Sequence, residues 1–175
     1  MTWGCQIKSN ILSSLQYEKR YMKMNYELVQ LKEKKVAGLR IRTSNSDPSM
    51  NSSIGMAWQS FFADGIYNLI PDKKNDKSIG LYTNYENGVN GAYDVLVCCE
   101  VENTESLPEN IHIETIASGK YAKFIIQGHQ QKAVAEFWTE LWSMDLDRKY
   151  SCDFEEYQGG GDMENAEIHI YISLN

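Results

Sequence analysis

The sequence predicts an α+β fold: duplicated strand-helix-strand-strand units with pseudo-twofold symmetry, an antiparallel sheet, and two main helices flanking a central groove. Three observations predict it. The same order of elements runs twice along the 175 residues. Short stretches at matching places resemble one another. Within each half the apolar period changes from two to about 3.6 and back. The units span about 26–101 and 111–174, and the polar stretch 102–110 links them.

In the first unit, Tyr26 to Leu31 alternates and reads as a strand, Glu33-Lys34-Lys35 as a turn, and Val36 to Arg42 as a second strand. Asp47-Pro48-Ser49 ends the extended run and opens a helix. In it Ile54, Trp58, Phe61, Phe62, Gly65, Ile66 and Leu69 share one side, and Pro71 stops it. Ile79 to Tyr85 is a strand, the Asn- and Gly-rich 87–91 a hairpin loop, and Tyr93 to Val101 a long strand. The second unit repeats the order: strands over 111–116 and 121–127, a helix over 130–142, then strands over 152–157 and 167–174 around the loop Gly159-Gly160-Gly161-Asp162. Lys35-Val36-Ala37 matches Lys120-Tyr121-Ala122, and Tyr82-Thr83-Asn84-Tyr85 matches Phe154-Glu155-Glu156-Tyr157. On that alignment Thr83 stands where the second half has Glu155.

Composition narrows the function classes. Residues 1–24 carry a net +3 and read as an N-terminal extension to the domain at 25–175, leaving −10 on that domain. An acidic body repels phosphate, which argues against direct nucleic-acid binding and raises the local concentration of organic cations. No stretch approaches the ~20 apolar residues needed to cross a bilayer, and 1–24 lacks a signal-peptide core, so a cytoplasmic protein is expected. Cys5, Cys98, Cys99 and Cys152 show no metal-ligand spacing and read as buried reduced thiols, with Cys98 and Cys99 in an apolar run. His112, His129 and His169 lie far apart in sequence, although His112 and His169 would fall on neighbouring strands of the second unit. No nucleophile motif or phosphate loop is present. Neither metal nor cofactor is expected.

The candidate site centres on Glu155. Strand alternation puts Glu155 and Tyr157 on one face. With Tyr85 and Tyr171 nearby, and Trp58 and Trp138 contributed by the two helices, the groove would hold one carboxylate within aromatic walls, a setting for a flat organic cation. Glu155-Glu156 also fits a pair of solvated acids on an edge strand, and Trp58 and Trp138 also fit plain core positions.

Phe154-Glu155-Glu156-Tyr157 followed by Ile168-His169-Ile170-Tyr171-Ile172, with Tyr26-Glu27-Leu28-Val29 leading to Val36-Ala37-Gly38, resembles the GyrI-like, or bacterial transcription activator effector-binding, domain family over residues 25–174. The resemblance implies a duplicated strand–helix–strand–strand fold that senses small, often cationic hydrophobic molecules. Glu155 would be the ligand-facing glutamate and Tyr171 the aromatic of the last strand. Ser173 and Cys98 depart from the proline and glycine common there. With no DNA-binding domain in the sequence, a stand-alone, non-enzymatic member is expected. The alternatives are a small hydrolase using Glu155 as general base, or a protein-binding module of the gyrase-inhibitor kind.

Overall fold

The structure, a computed structural model, describes residues 24–159 and 162–175. The expected N-terminal extension, apart from Met24, lies outside the described residues, as do Gly160 and Gly161. Eight strands are described: β1 (Glu27–Leu31), β2 (Lys34–Ser44), β3 (Ser78–Thr83), β4 (Ala92–Glu100), β5 (His112–Ile116), β6 (Gly119–Gly128), β7 (Cys152–Tyr157) and β8 (Ala166–Ser173). The helices are α1 (Met50–Ala63), the single-turn α2 (Ile66–Leu69) and α3 (Gln130–Leu141). The apolar period through 54–69 predicts one helix, but the chain breaks it. Gly65 adopts φ 79°, a left-handed conformation that ends α1 and lets Ile66–Leu69 start on a new axis.

All strands form one antiparallel sheet in the order β1-β6-β8-β7-β3-β4-β2-β5. The two units meet at β3 and β7. Each unit gives its first strand away: β1 pairs with β6 of the second unit, and β5 with β2 of the first. That exchange separates His112, on the β5 edge, from His169 on β8, so the two histidines are not on neighbouring strands.

Alternation along the strands sorts the core into layers. Val36, Ile79, Leu81, Leu96, Tyr121, Phe154 and Tyr171 form a cluster on one face of the sheet. Val36 on β2 and Tyr121 on β6 belong to strands second from opposite ends, so the sheet must curl into a half-barrel around this cluster. The convex face carries the helices. Ala57 and Phe61 seat α1 on Ala37, Val97 and Cys99. Phe137 and Leu141 seat α3 on Ala122, Phe124, Ile168, Ile170 and Ile172. The burial pattern of residues 51–63 repeats unchanged over 131–143, so the helices are equivalent at a spacing of 80 residues. Cys98 and Cys99 point into opposite layers, and with Cys152 are buried free thiols.

Gly38 marks the tightest approach in the sheet. It pairs with Cys98 on one side and His112 on the other, and a Cβ there would overlap the Val97 carbonyl oxygen and lie 2.6 Å from Cys98 Cα. Backbone cannot yield as a side-chain tip can, so Gly38→Ala should cost at least about 3 kcal/mol in urea unfolding, the upper range of overpacking. Gly55, inside α1, has nothing within 4 Å of the same position, and Gly55→Ala should gain about 0.5–1 kcal/mol.

Candidate functional site

The ladder registers align the two units more closely than the sequence does. If Val36 matches Tyr121, their partners Glu100 and Ser173 match, and hence Cys98 matches Tyr171. Cys98 faces Ile79 and Tyr171 faces Phe154. Ile79 therefore corresponds to Phe154, Gly80 to Glu155, and Tyr82 to Tyr157. The counterpart of Glu155 is Gly80, not Thr83, and that of Tyr157 is Tyr82, not Tyr85. The Tyr-x-x-Tyr spacing of the first unit suggests an alignment three residues out of step.

Gly80 and Glu155 are also directly opposite each other where β3 pairs with β7. The pseudo-twofold axis therefore passes between a glycine and a glutamate. A Cβ on residue 80 would stand 3.2 Å from Glu155 Oε2 and 3.3 Å from Trp58 Cζ2. The missing side chain on one unit makes room for the carboxylate of the other.

Glu155 is 2% exposed and lies at the centre of the sheet, not on an edge strand. Three donors converge on it. Trp138 Nε1 and Tyr82 Oη donate to Oε1 at 2.6 and 2.9 Å, and Tyr157 Oη donates to Oε2 at 2.6 Å. Of roughly four lone-pair positions on a carboxylate, one is left. Burial raises the Glu155 pKa, the bonds from Tyr157, Trp138 and Tyr82 lower it, and the net result lies above the ordinary 4.5. Hydrogen bonds to an ion contribute about 1.5–3 kcal/mol each, and removing an ion from water costs several. Desolvation wins this balance, so the site retains a demand for positive charge. Burial, and then the charge of Glu155, hold the Tyr82 and Tyr157 hydroxyls well above the usual phenol range, so both remain donors.

The neighbouring carboxylates of β7 are different. Asp153, fully buried two residues away, has Arg148 Nη2 at 2.7 Å and accepts from Tyr85 Oη at 3.0 Å and Ser173 N at 2.8 Å. Glu156, 4% exposed on the opposite face, pairs with Lys77 at 2.9 Å and Lys34 at 3.3 Å. Burial pushes its pKa up, but Gln158, Lys77 and Lys34 outweigh burial and hold it below the ordinary value. Among the described residues no lysine, arginine or histidine pairs with Glu155. The reading of Glu155-Glu156 as solvated acids does not hold, since each is buried against its own partners.

Above Glu155 a groove of about 1330 Å³ opens between α1 and α3. Ile54, Trp58 and Phe62 line one wall; Val134, Trp138 and Trp142 line the other at the equivalent positions. Phe62 and Trp142 are half or more exposed at its mouth. Trp58 and Trp138 are only partly buried, and both border the groove. Tyr157 borders its floor, and Tyr85 one end. Tyr171 is elsewhere. It lies opposite Phe154 in the β7–β8 ladder, so it shares the face of Phe154 and stacks on that ring at 4.4 Å, inside the half-barrel. Its exclusion is a matter of register, which alternation within a single strand does not reveal. Tyr82, Gly80 and Arg148 are the site residues that sequence reasoning missed. A Gly facing a Glu across the repeat was the available signal, hidden by the wrong alignment.

The duplicated half-barrel, the paired helices and the axial glutamate define an effector-binding domain of the GyrI-like type. The chain belongs to the integron-associated effector binding protein family, Cass2, whose model matches residues 27–174. It is 32% identical over 149 residues to a putative transcriptional regulator protein, YobU, of Bacillus subtilis strain 168, covering 81% of this chain and 92% of that one. Among solved structures it is similar to an integron cassette protein from the mobile metagenome of Vibrio cholerae, at 29% identity and TM-score 0.66, covering 86% of this chain and 99% of that one. It also shares its fold with SAV2435, solved bound to tetraphenylphosphonium, at 23% identity and TM-score 0.73, covering 87% and 94%. The family is one of effector-binding and regulator domains, so the chain is a non-enzymatic small-molecule-binding domain. No helix among the described residues is long and apolar enough to cross a membrane.

The raised pKa of Glu155 has a signed effect on stability. Between 4.5 and the folded-state pKa the folded chain holds the proton that the unfolded chain has lost, so folding is favoured as pH falls through this window and penalised above it. Urea unfolding from pH 8 to 4.5 should show this component in the wild type. In Glu155→Gln it should be absent, so the stability difference between the two should change with pH in this window. A constant difference would show that Glu155 titrates normally.

Proposed function

We propose that the groove binds a lipophilic organic cation, with Glu155 as its countercharge and Trp58, Trp138, Tyr157 and Tyr85 as aromatic surroundings, in a cytoplasmic protein that senses or sequesters such compounds. One observation carries this reading. Of the three buried carboxylates on β7, Asp153 and Glu156 have resident cations, and Glu155 has only neutral donors. A cation entering the groove would supply the missing charge, and nearby ring faces would add roughly 0.5–2 kcal/mol per contact. The fold relative solved with tetraphenylphosphonium supports the same ligand chemistry. The net charge of −7 favours cation approach and opposes contact with nucleic acid.

Calorimetric titration with tetraphenylphosphonium tests the proposal. Glu155→Gln should preserve the circular dichroism spectrum and weaken binding at least about tenfold, the cost of leaving a desolvated cation without its counterion. Superimposable titration curves would sink the reading.

Binding should also follow the charge on Glu155. A bound cation favours the ionised carboxylate, so affinity should fall as pH drops below the folded-state pKa of Glu155, and binding in that range should release protons to the buffer. Titrations in buffers of different ionisation enthalpy would measure that release. Proton uptake, or affinity flat down to pH 4.5, would contradict the assignment.

A further inference from the structure

The groove floor has one uncompensated carboxylate but two matched sets of aromatic rings. Trp58 meets Tyr157 edge-on, with centroids 5.0 Å apart and 78° between planes. Trp138 meets Tyr82 at 5.0 Å and 65°. Each pair takes its indole from one unit and its phenol from the other, and the pseudo-twofold axis at Gly80 and Glu155 carries one pair onto the other. The buried negative charge therefore lies between the two aromatic sets; Asp76, Asp162 and Glu167 also line the groove but are exposed to solvent. Asp153, the next carboxylate on the same strand face, is already matched by Arg148 at 2.7 Å and calls for no second cation.

We propose that the preferred ligand is a monocation whose charge lies at its middle, between two apolar or aromatic arms, one arm for each indole–phenol pair. This rests on the cation-binding reading of Glu155 given above and adds the placement of the charge within the ligand. A cation with its charge at one end would put a single arm against one pair and leave the other facing water.

Two isomeric quaternary ammonium ions separate these cases. Dibenzyldimethylammonium and (biphenyl-4-ylmethyl)trimethylammonium share formula and charge, but the first carries nitrogen between its rings and the second at its end. Calorimetric titration should give the dibenzyl ion about tenfold tighter binding, the gain from a second aromatic contact. Trp58→Leu should reduce that preference towards unity; Trp58 is the informative wall because Trp138 also bonds Glu155. Equal affinities, or preference for the end-charged ion, with both still weakened by Glu155→Gln, would overturn this proposal and leave the cation-binding reading intact. A preference unchanged by Trp58→Leu would overturn it as well. Failure of both ions and of tetraphenylphosphonium to bind would remove both proposals together.

Discussion

The structure depends on the burial of one carboxylate at the joint between two units. Glu155 sits where β3 and β7 meet, and every neighbour is arranged around its charge. Gly80 leaves the volume, Tyr82 and Tyr157 donate from matching positions, and Trp138 donates from the helix above. The three bonds lower the cost of burial without cancelling it, since the carboxyl pKa remains raised. A buried carboxylate with no paired cation among the described residues is the feature on which the proposed cation-binding role rests. Of the buried carboxylates on this strand Glu155 alone has only neutral donors, while Asp153 and Glu156 are paired with Arg148 and with Lys77 and Lys34.

The rest of the fold keeps this floor rigid and its walls separate. Ala57 and Phe61 on α1, and Phe137 and Leu141 on α3, fix each helix to its own half of the convex face. The next residue outward on each helix, Phe62 or Trp142, is left half exposed or more. Exposed apolar surface of this kind, grouped at the mouth of a concave site, is what a ligand-binding surface requires and what a protein without one avoids. Seating residues and wall residues adjoin along the same helices, so the packing that fixes each helix also fixes its groove wall.

Much of this was legible in the sequence. The repeat, the order of elements and the two helices follow from apolar periods of two and 3.6, because each element must bury one face. The importance of Glu155 follows from a carboxylate that has no acidic counterpart in the other repeat, together with the family resemblance. Long-range pairing is less visible, because ladder register depends on contacts between residues far apart in the chain. Tyr171 was expected beside Glu155, yet Glu155 faces Ile170, and a one-residue offset moves an aromatic to the other side of the sheet. His112 and His169 were expected on adjacent strands, yet β5 leaves its own unit to pair with β2. The repeated Tyr spacing hides Tyr82, because it favours Tyr85 as the counterpart of Tyr157.

The exchange of β1 and β5 between units means that each half completes the sheet of the other, as two identical subunits do in a domain-swapped dimer. Such a dimer, built from one repeated half-length chain, would carry every axial residue twice. It would hold either two glutamates in contact, which cannot both stay ionised in a buried site, or two glycines and no charge. One carboxylate on the axis requires two halves that differ at this position. Joining both halves in one polypeptide permits that difference, and with it a pocket whose floor carries a single negative charge.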